Sequence, residues 1–169
     1  RPMPVPSREA PAATYAVGEG LEFRQRDLAG AAAAFRALAA SRDSTVRAGA
    51  LLRLARVERK AGQLPRALES YARLADLGTV PVSRLPAALV ARHARLAILR
   101  EMGRAAEAER EAATVAGDLR SGTWPLTRAA YRYYADELAG YALPPLDAAC
   151  RARLERSEAI ANAVGELWA

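Results

Sequence analysis

The chain has 169 residues, of which 51% are hydrophobic and 26% charged, and this composition is that of a folded globular domain and not of a disordered segment. Alanine, the strongest helix former, fills about a quarter of the chain, which argues against an all-β or a doubly wound fold. The formal net charge is +6, but most arginines alternate with glutamate and alanine as on a solvated helix face, so we expect no nucleic-acid partner. One cysteine, Cys150, and one histidine, His93, exclude an internal disulfide and a Cys/His zinc site.

The first predicted element is an extended linker over residues 1–11, which contain four prolines. Helical periodicity dominates the rest and predicts eight helices, at 12–26, 28–41, 44–61, 64–77, 84–102, 104–119, 125–141 and 146–168. Asp43 is a capping residue before the third helix, and Pro65 suits the first turn of the fourth. Glycines that we expect to end helices follow three of them: Gly62, Gly103 and Gly117. The connections are short, so successive helices should fold back as antiparallel hairpins.

An internal repeat is the strongest signal in the sequence. Residues 26–38 align with residues 62–74, which lie 36 positions later, and the alignment matches the turn, a small residue, an aromatic residue and a leucine. A third copy at 103–115 is displaced by 41 positions because residues 78–84 form an insertion. The small and aromatic residues are Ala31 with Phe35, then Ala67 with Tyr71, while the third copy has Ala108 with Ala112.

These blocks resemble the tetratricopeptide repeat, a pair of helices with a period of about 34 residues. The resemblance implies an all-α fold, a right-handed stack of about four antiparallel helical hairpins. Three hairpins would occupy residues 12–120, and a divergent fourth hairpin or a pair of C-terminal capping helices would occupy residues 121–169. The alternative is an alanine-rich helical bundle whose periodicity is a coincidence. We expect eight residues in the core: Leu38, Leu51, Leu54, Leu68, Tyr71, Leu74, Leu96 and Leu99.

Motifs of catalysis are almost absent from the sequence. It contains no glycine-rich phosphate loop and no H-E-x-x-H sequence, and neither His93 nor Cys150 has a partner in a recognisable motif. Glu19 and Glu22 are a conceivable acid–base pair, but glutamates three residues apart on a helix are usually exposed. We therefore expect a chain without catalytic turnover, without a metal ion and without a cofactor.

The candidate site is a surface for binding. In stacked hairpins, the first helix of each pair lines a concave groove. Candidate residues on these helices are mainly basic or aromatic: Phe23, Arg53, Arg56, Arg59, Lys60, His93, Arg100 and Tyr134. Guanidinium groups present a planar fork of donors, so the groove would suit a protein partner, an acidic peptide or a small anionic ligand. We expect Arg56 and Arg59 to be replaceable by alanine without loss of stability. The alternatives are that these arginines are ordinary solvated residues and that His93 packs inward.

A narrower resemblance rests on residues 15–28, which are followed by alanine-rich hairpins and a tyrosine-rich end. This sequence pattern is similar to that of the sensor region of bacterial membrane histidine kinases. The similarity implies a non-catalytic input module in the periplasmic or extracytoplasmic part of an inner-membrane protein. Such a module could form a homodimer. The alternatives are a soluble or periplasmic adaptor or scaffold of the tetratricopeptide class, a cytoplasmic location, and a ligand-binding arm of a transcription factor. Both ends of the chain suggest a piece of a longer protein.

Overall fold

The computed structural model describes residues 8–124 and 126–141, and single positions at 148, 152, 155, 156 and 159. The described part is mostly helical, which confirms the predicted helical class. The chain divides into two compact units, Arg1–Glu111 and Ala112–Ala169. Most of the predicted helix 146–168, including Cys150, lies outside the described residues. The α-helices are α1 (Ala16–Glu19), α2 (Leu28–Leu38), α3 (Ser44–Lys60), α4 (Leu64–Ala75), α5 (Ala87–Glu101), α6 (Ala105–Ser121) and α7 (Arg128–Leu138).

The first predicted helix is built from three successive pieces, which we call the N-terminal segment. A 3-10 turn at Ala12–Tyr15 leads into α1, and a π-helical stretch at Gly20–Gln25 completes the segment. The stretch ends at Arg26, which has a left-handed backbone with a φ of 55°. The amide of Asp27 then donates to the carbonyl of Leu21 at 2.9 Å, so one of the last free carbonyls of the helix is satisfied.

Capping residues set the starts of α2 and α3. The carboxylate of Asp27 accepts from the amide of Gly30 at 2.8 Å, and Asp43 accepts from the amide of Thr45 at the same distance. Pro65 lies in the first turn of α4, as predicted.

Glycines with a positive φ end two helices at the predicted positions. Gly62 has a φ of 72° after α3, and Gly103 has a φ of 69° after α5. The prediction for Gly117 is wrong, because this residue lies inside α6, and Gly122, with a φ of 66°, follows that helix instead.

The repeated small and aromatic residues lie in the core of the first unit. Ala31 and Phe35 of α2 are buried, and so are Ala67 and Tyr71 of α4, 36 residues further along. Phe35 packs directly on Gly18, where a Cβ atom would lie only 2.5 Å from the ring. Seven of the eight predicted core residues are buried: Leu51, Leu54, Leu68, Tyr71, Leu74, Leu96 and Leu99.

Leu38 is the exception among the predicted core residues. It is half-buried in the last turn of α2, while the next residue, Ala39, is almost fully buried. Ala39 follows Phe35 by four residues, so the buried stripe of α2 continues at the i+4 position and not at i+3.

A small β-hairpin occupies the insertion between α4 and α5. Strands β1 (Pro81–Val82) and β2 (Leu85–Pro86) pair antiparallel and have two residues each, and they are an element that the predicted helices did not include. The hairpin also delays the start of α5 from the predicted residue 84 to residue 87. Ser83 and Arg84 form its two-residue turn, and both have a left-handed backbone with φ values of 52° and 63°.

The second unit contains the described part of the tyrosine-rich region. Its helix α7 begins after Thr127, whose hydroxyl accepts from the amide of Ala130 at 3.2 Å. Trp124, Tyr134 and Leu138 are buried in this unit.

Candidate binding surface

Helix α3 carries four of the predicted binding residues, and the fold places them beside the N-terminal segment and α5. Arg53, Arg56 and Lys60 follow one another at helical spacing, so they share one side of α3. Their hydrogen bonds run to carboxylates of the N-terminal segment, whereas Arg59 bonds to the end of α5.

Arg53 joins two residues of the N-terminal segment to α3. Its Nε donates to Glu19 at 2.7 Å, and its guanidinium lies 3.9 Å above the centre of the Tyr15 ring. The Tyr15 hydroxyl donates to the carbonyls of Thr45 and Val46 at 3.3 and 3.2 Å. Burial raises the pKa of Tyr15 above its usual value, although the charge of Arg53 opposes this effect. Tyr15 and Arg53 are therefore held mainly by contacts within the fold.

Glu22 is a fully buried carboxylate at the centre of this contact. Arg56 donates to it through Nε at 3.1 Å and through Nη2, and the Lys60 ammonium donates to it at 2.6 Å. Burial alone would raise the pKa of Glu22, but the hydrogen bonds and charges of Arg56 and Lys60 outweigh it and lower the pKa below its usual value. The expectation that Glu22 is exposed is wrong, because two cations 34 and 38 residues away pair with it.

Phe23 is the exposed aromatic residue of this surface, with 57% of its area accessible. The Lys60 ammonium lies 4.6 Å and the Arg56 guanidinium 5.1 Å from the centre of its ring. One pair of cations thus contacts both a buried carboxylate and an exposed ring. The sequence placed Phe23 on this surface, but the contact with Arg56 and Lys60 requires the tertiary fold.

Arg59 forms a different kind of pair. Its Nε and Nη2 donate to the same oxygen of Glu101, at 3.2 and 3.0 Å, and the side chains of both residues are 45% exposed. An exposed pair of this kind contributes about 0–1 kcal/mol to stability. Removal of Arg56 would instead leave Glu22 buried with one cation. We therefore still expect Arg59 to be dispensable for stability, whereas the buried partner of Arg56 leads us to expect a loss of stability when Arg56 is removed.

The other three predicted residues lie elsewhere in the fold. His93 is half-buried in α5, and Arg100 is exposed near the end of that helix. Tyr134 is buried in the second unit, where its ring meets Tyr133 edge to face at 5.1 Å, and burial raises its pKa. We define the α3 surface as the four cations of α3 with Phe23 and the carboxylates to which these cations bond: Phe23, Arg53, Arg56, Arg59 and Lys60 with Glu19, Glu22 and Glu101.

A second buried glutamate, Glu58, was not singled out as a site from the sequence. It lies in α3, 36 residues after Glu22, and therefore at the same position of the repeat. Its carboxylate accepts from the Ser70 hydroxyl at 2.6 Å and from Arg36 at 3.4 Å. A glutamate at the same offset in two repeats is the one signal in the sequence that points to both buried carboxylates.

Comparisons with protein-family models, with curated proteins and with solved structures find no match to this chain. Within residues 8–124 and 126–141, no cluster of three or more histidine, cysteine, aspartate or glutamate side chains is arranged to hold a metal ion. No helix of the described part has the length and apolar character that crossing a membrane requires. The functional argument therefore rests on the geometry of the α3 surface.

Proposed function

We propose that the first unit is a stack of tetratricopeptide-like helical hairpins that binds a partner protein and has no catalytic step of its own. The observation that carries this proposal is that two ion pairs have the same separation along the sequence. Glu19 pairs with Arg53 and Glu22 pairs with Arg56, and in each pair the two residues are 34 positions apart. A constant separation means that the N-terminal segment and α3 run in the same direction, one repeat apart. Neighbouring repeats of a helical solenoid contact each other in this way.

The α3 surface is the proposed binding surface, and an acidic peptide segment with an apolar side chain is the proposed partner. Its four cations exceed its three carboxylates by one charge. Exposed aromatic and arginine side chains are the residues that contribute most to protein interfaces. Phe23 supplies such a ring, and Arg59 supplies a guanidinium that a carboxylate of the partner can take over from Glu101, because that pair is exposed and weak.

We further propose that the module is the sensory input region of a bacterial membrane histidine kinase, on its extracytoplasmic side. The similarity of residues 15–28 to such sensor regions supports this assignment. Three of these residues are buried in the fold: Tyr15, Gly18 and Glu22. Their identities are therefore explained by packing, and this part of the similarity does not depend on function. An adaptor or scaffold in complex assembly is the alternative. A coding sequence that continues past Ala169 into about 20 apolar residues and an ATP-binding region would support the kinase assignment.

A peptide selection tests the binding proposal even though the partner is unidentified. A library of random 12-residue peptides is selected on the wild-type protein, and the enriched peptides are titrated against Phe23→Ala, Arg59→Ala and Tyr133→Ala. Tyr133 is the matched control, because it is 53% exposed and belongs to the second unit. We expect acidic peptides that bind at least tenfold more weakly to Phe23→Ala and more weakly to Arg59→Ala, but normally to Tyr133→Ala. Binding should also weaken as salt rises, since exposed charges are screened over about 8 Å at physiological ionic strength.

Two results would contradict the proposal. One is the failure of the selection to enrich any peptide, and the other is enrichment of peptides that bind Phe23→Ala as tightly as the wild type.

A further inference from the structure

A half-open cleft of about 340 Å³ lies among α2, α3 and α4, and the α3 surface contributes none of its lining residues. Leu54 is its one apolar lining residue, so the cleft is polar. The lining residues are Arg36 from α2, Leu54 and Glu58 from α3, and Arg66, Glu69, Ser70 and Arg73 from α4. The volume is at the lower end of the range for small-molecule sites, which suits a ligand of few atoms.

The buried carboxylate of Glu58 forms part of the cleft wall. Its side chain is 4% exposed, and it has two donors, the Ser70 hydroxyl at 2.6 Å and the Arg36 guanidinium at 3.4 Å. A carboxylate has about four acceptor positions, so Glu58 retains capacity for another donor. Glu22, at the same repeat position, receives three hydrogen bonds from two cations. Glu58 thus receives fewer hydrogen bonds than Glu22, which is paired with two cations of α3.

Cations surround this carboxylate at the exposed part of the cleft. Arg66 and Arg73 are seven residues apart and therefore lie on one face of α4, and Arg36 faces them from α2. All three arginines are exposed. The cleft therefore has a negative charge at its buried wall, and at its exposed part three arginines outnumber one exposed carboxylate, Glu69.

A buried carboxylate below an excess of exposed arginines favours a ligand that carries both a positive and a negative charge. A simple anion would meet Glu58 and Glu69, and a simple cation would meet three arginines. A molecule that carries both an ammonium group and a carboxylate fits this arrangement. Its ammonium group can donate to Glu58 while its carboxylate accepts from the guanidinium groups of the arginines.

We propose that the cleft binds a free α-amino acid with a polar side chain, its ammonium group on Glu58 and its carboxylate between Arg66 and Arg73. This site is separate from the α3 surface, so the proposal does not depend on the binding of a partner protein there.

A thermal-shift screen with each of the 20 L-amino acids tests the proposal, with an equal concentration of sodium chloride as the reference. The most strongly stabilising amino acid is then titrated calorimetrically, together with its N-acetyl derivative and its carboxamide. We expect at least one amino acid to raise the melting midpoint, and we expect each derivative to bind at least tenfold more weakly, since each lacks one of the two charges. A screen without any stabilising amino acid, or an N-acetyl derivative that binds as tightly as its parent, would overturn the proposal.

Three variants assign the binding to this cleft. Glu58→Gln keeps the shape of the side chain and removes its charge. Arg73→Gln changes an exposed residue, so we expect the fold to tolerate it. Both variants should weaken binding at least tenfold. Glu111→Gln is the control, because Glu111 is also an ion-paired glutamate, bonded to Arg95 at 3.2 Å, and does not line the cleft. Normal amino-acid binding by Arg73→Gln would refute the site, even if Glu58→Gln fails to fold. A loss of binding in Glu111→Gln as large as that in the two cleft variants would also refute it.

Discussion

Arg56→Ala and Arg59→Ala are a matched pair of substitutions that separates a structural cation from an exchangeable one. Both residues are arginines of α3, and each pairs with a glutamate of another element. The carboxylate that pairs with Arg56 is fully buried, whereas the carboxylate that pairs with Arg59 is 45% exposed. The two variants should therefore differ in stability although the chemical change is the same.

The expected difference follows from the burial of the two glutamates. Removal of one partner of a buried ion pair costs about 3–5 kcal/mol, because the remaining charge stays buried without compensation. Lys60 still bonds to Glu22 in Arg56→Ala, so we expect a smaller loss of about 2–3 kcal/mol in the free energy of unfolding. Arg59→Ala should lose no more than about 1 kcal/mol.

Urea unfolding at pH 7, followed by far-ultraviolet circular dichroism, measures both free energies. Equal unfolding curves for the two variants would refute the reasoning, because they would show that Glu22 does not require Arg56. The pH dependence is a second check. The pKa of Glu22 is lowered in the folded chain from an ordinary 4.5, so its stabilisation is present above about pH 4.5 and is lost as the pH falls through the lowered pKa. The difference in the free energy of unfolding between the wild type and Arg56→Ala should therefore decrease as the pH falls through this range.

Two further predictions concern backbone geometry. Gly18→Ala should destabilise the fold by about 1–3 kcal/mol, because its Cβ atom would lie 2.5 Å from the Phe35 ring, whereas Gly20→Ala should be neutral or stabilising by up to about 1 kcal/mol, since nothing lies within 3.7 Å of its Cβ. Urea unfolding of this pair checks the close contact, and equal effects would contradict it. The double substitution Ser83→Asn with Arg84→Gly should stabilise the hairpin turn by about 1 kcal/mol, because both residues have a positive φ that Asn-Gly adopts readily. A lower melting midpoint in this variant would contradict the assigned turn.

The helices of the first unit were predictable because their signals are local. Asp43 caps α3 through the amides of the next turn, and Gly62 ends the same helix with a left-handed backbone, so the predicted 44–61 differs from the observed helix by one residue. The buried pairs Ala31–Phe35 and Ala67–Tyr71 were also predictable, because the repeat places the same side chains on the same helix face.

The details of the candidate site were not predictable, because they depend on contacts between distant residues. Glu22 looks like an exposed glutamate until the fold brings Arg56 and Lys60 to it from 34 and 38 residues away. The β-hairpin at the insertion was missed for a related reason. Its turn residues, Ser83 and Arg84, lack the usual Asn-Gly signal. In addition, the backbone amide of Arg84 donates a hydrogen bond to the carboxylate of Glu9, which lies 75 residues away in the sequence.

The central claim is that the N-terminal segment and α3 pack as corresponding helices of neighbouring repeats. Tyr15 and Gly49 provide the most direct probe, because a Cβ atom at Gly49 would lie 2.1 Å from the Tyr15 hydroxyl oxygen, so the ring is in contact with that backbone. Nuclear Overhauser spectroscopy on the folded chain measures this proximity. The packing predicts strong cross-peaks between the Tyr15 ring protons and the α-protons of Gly49. Cross-peaks from the Tyr15 ring to another helix, with none to Gly49, would contradict it.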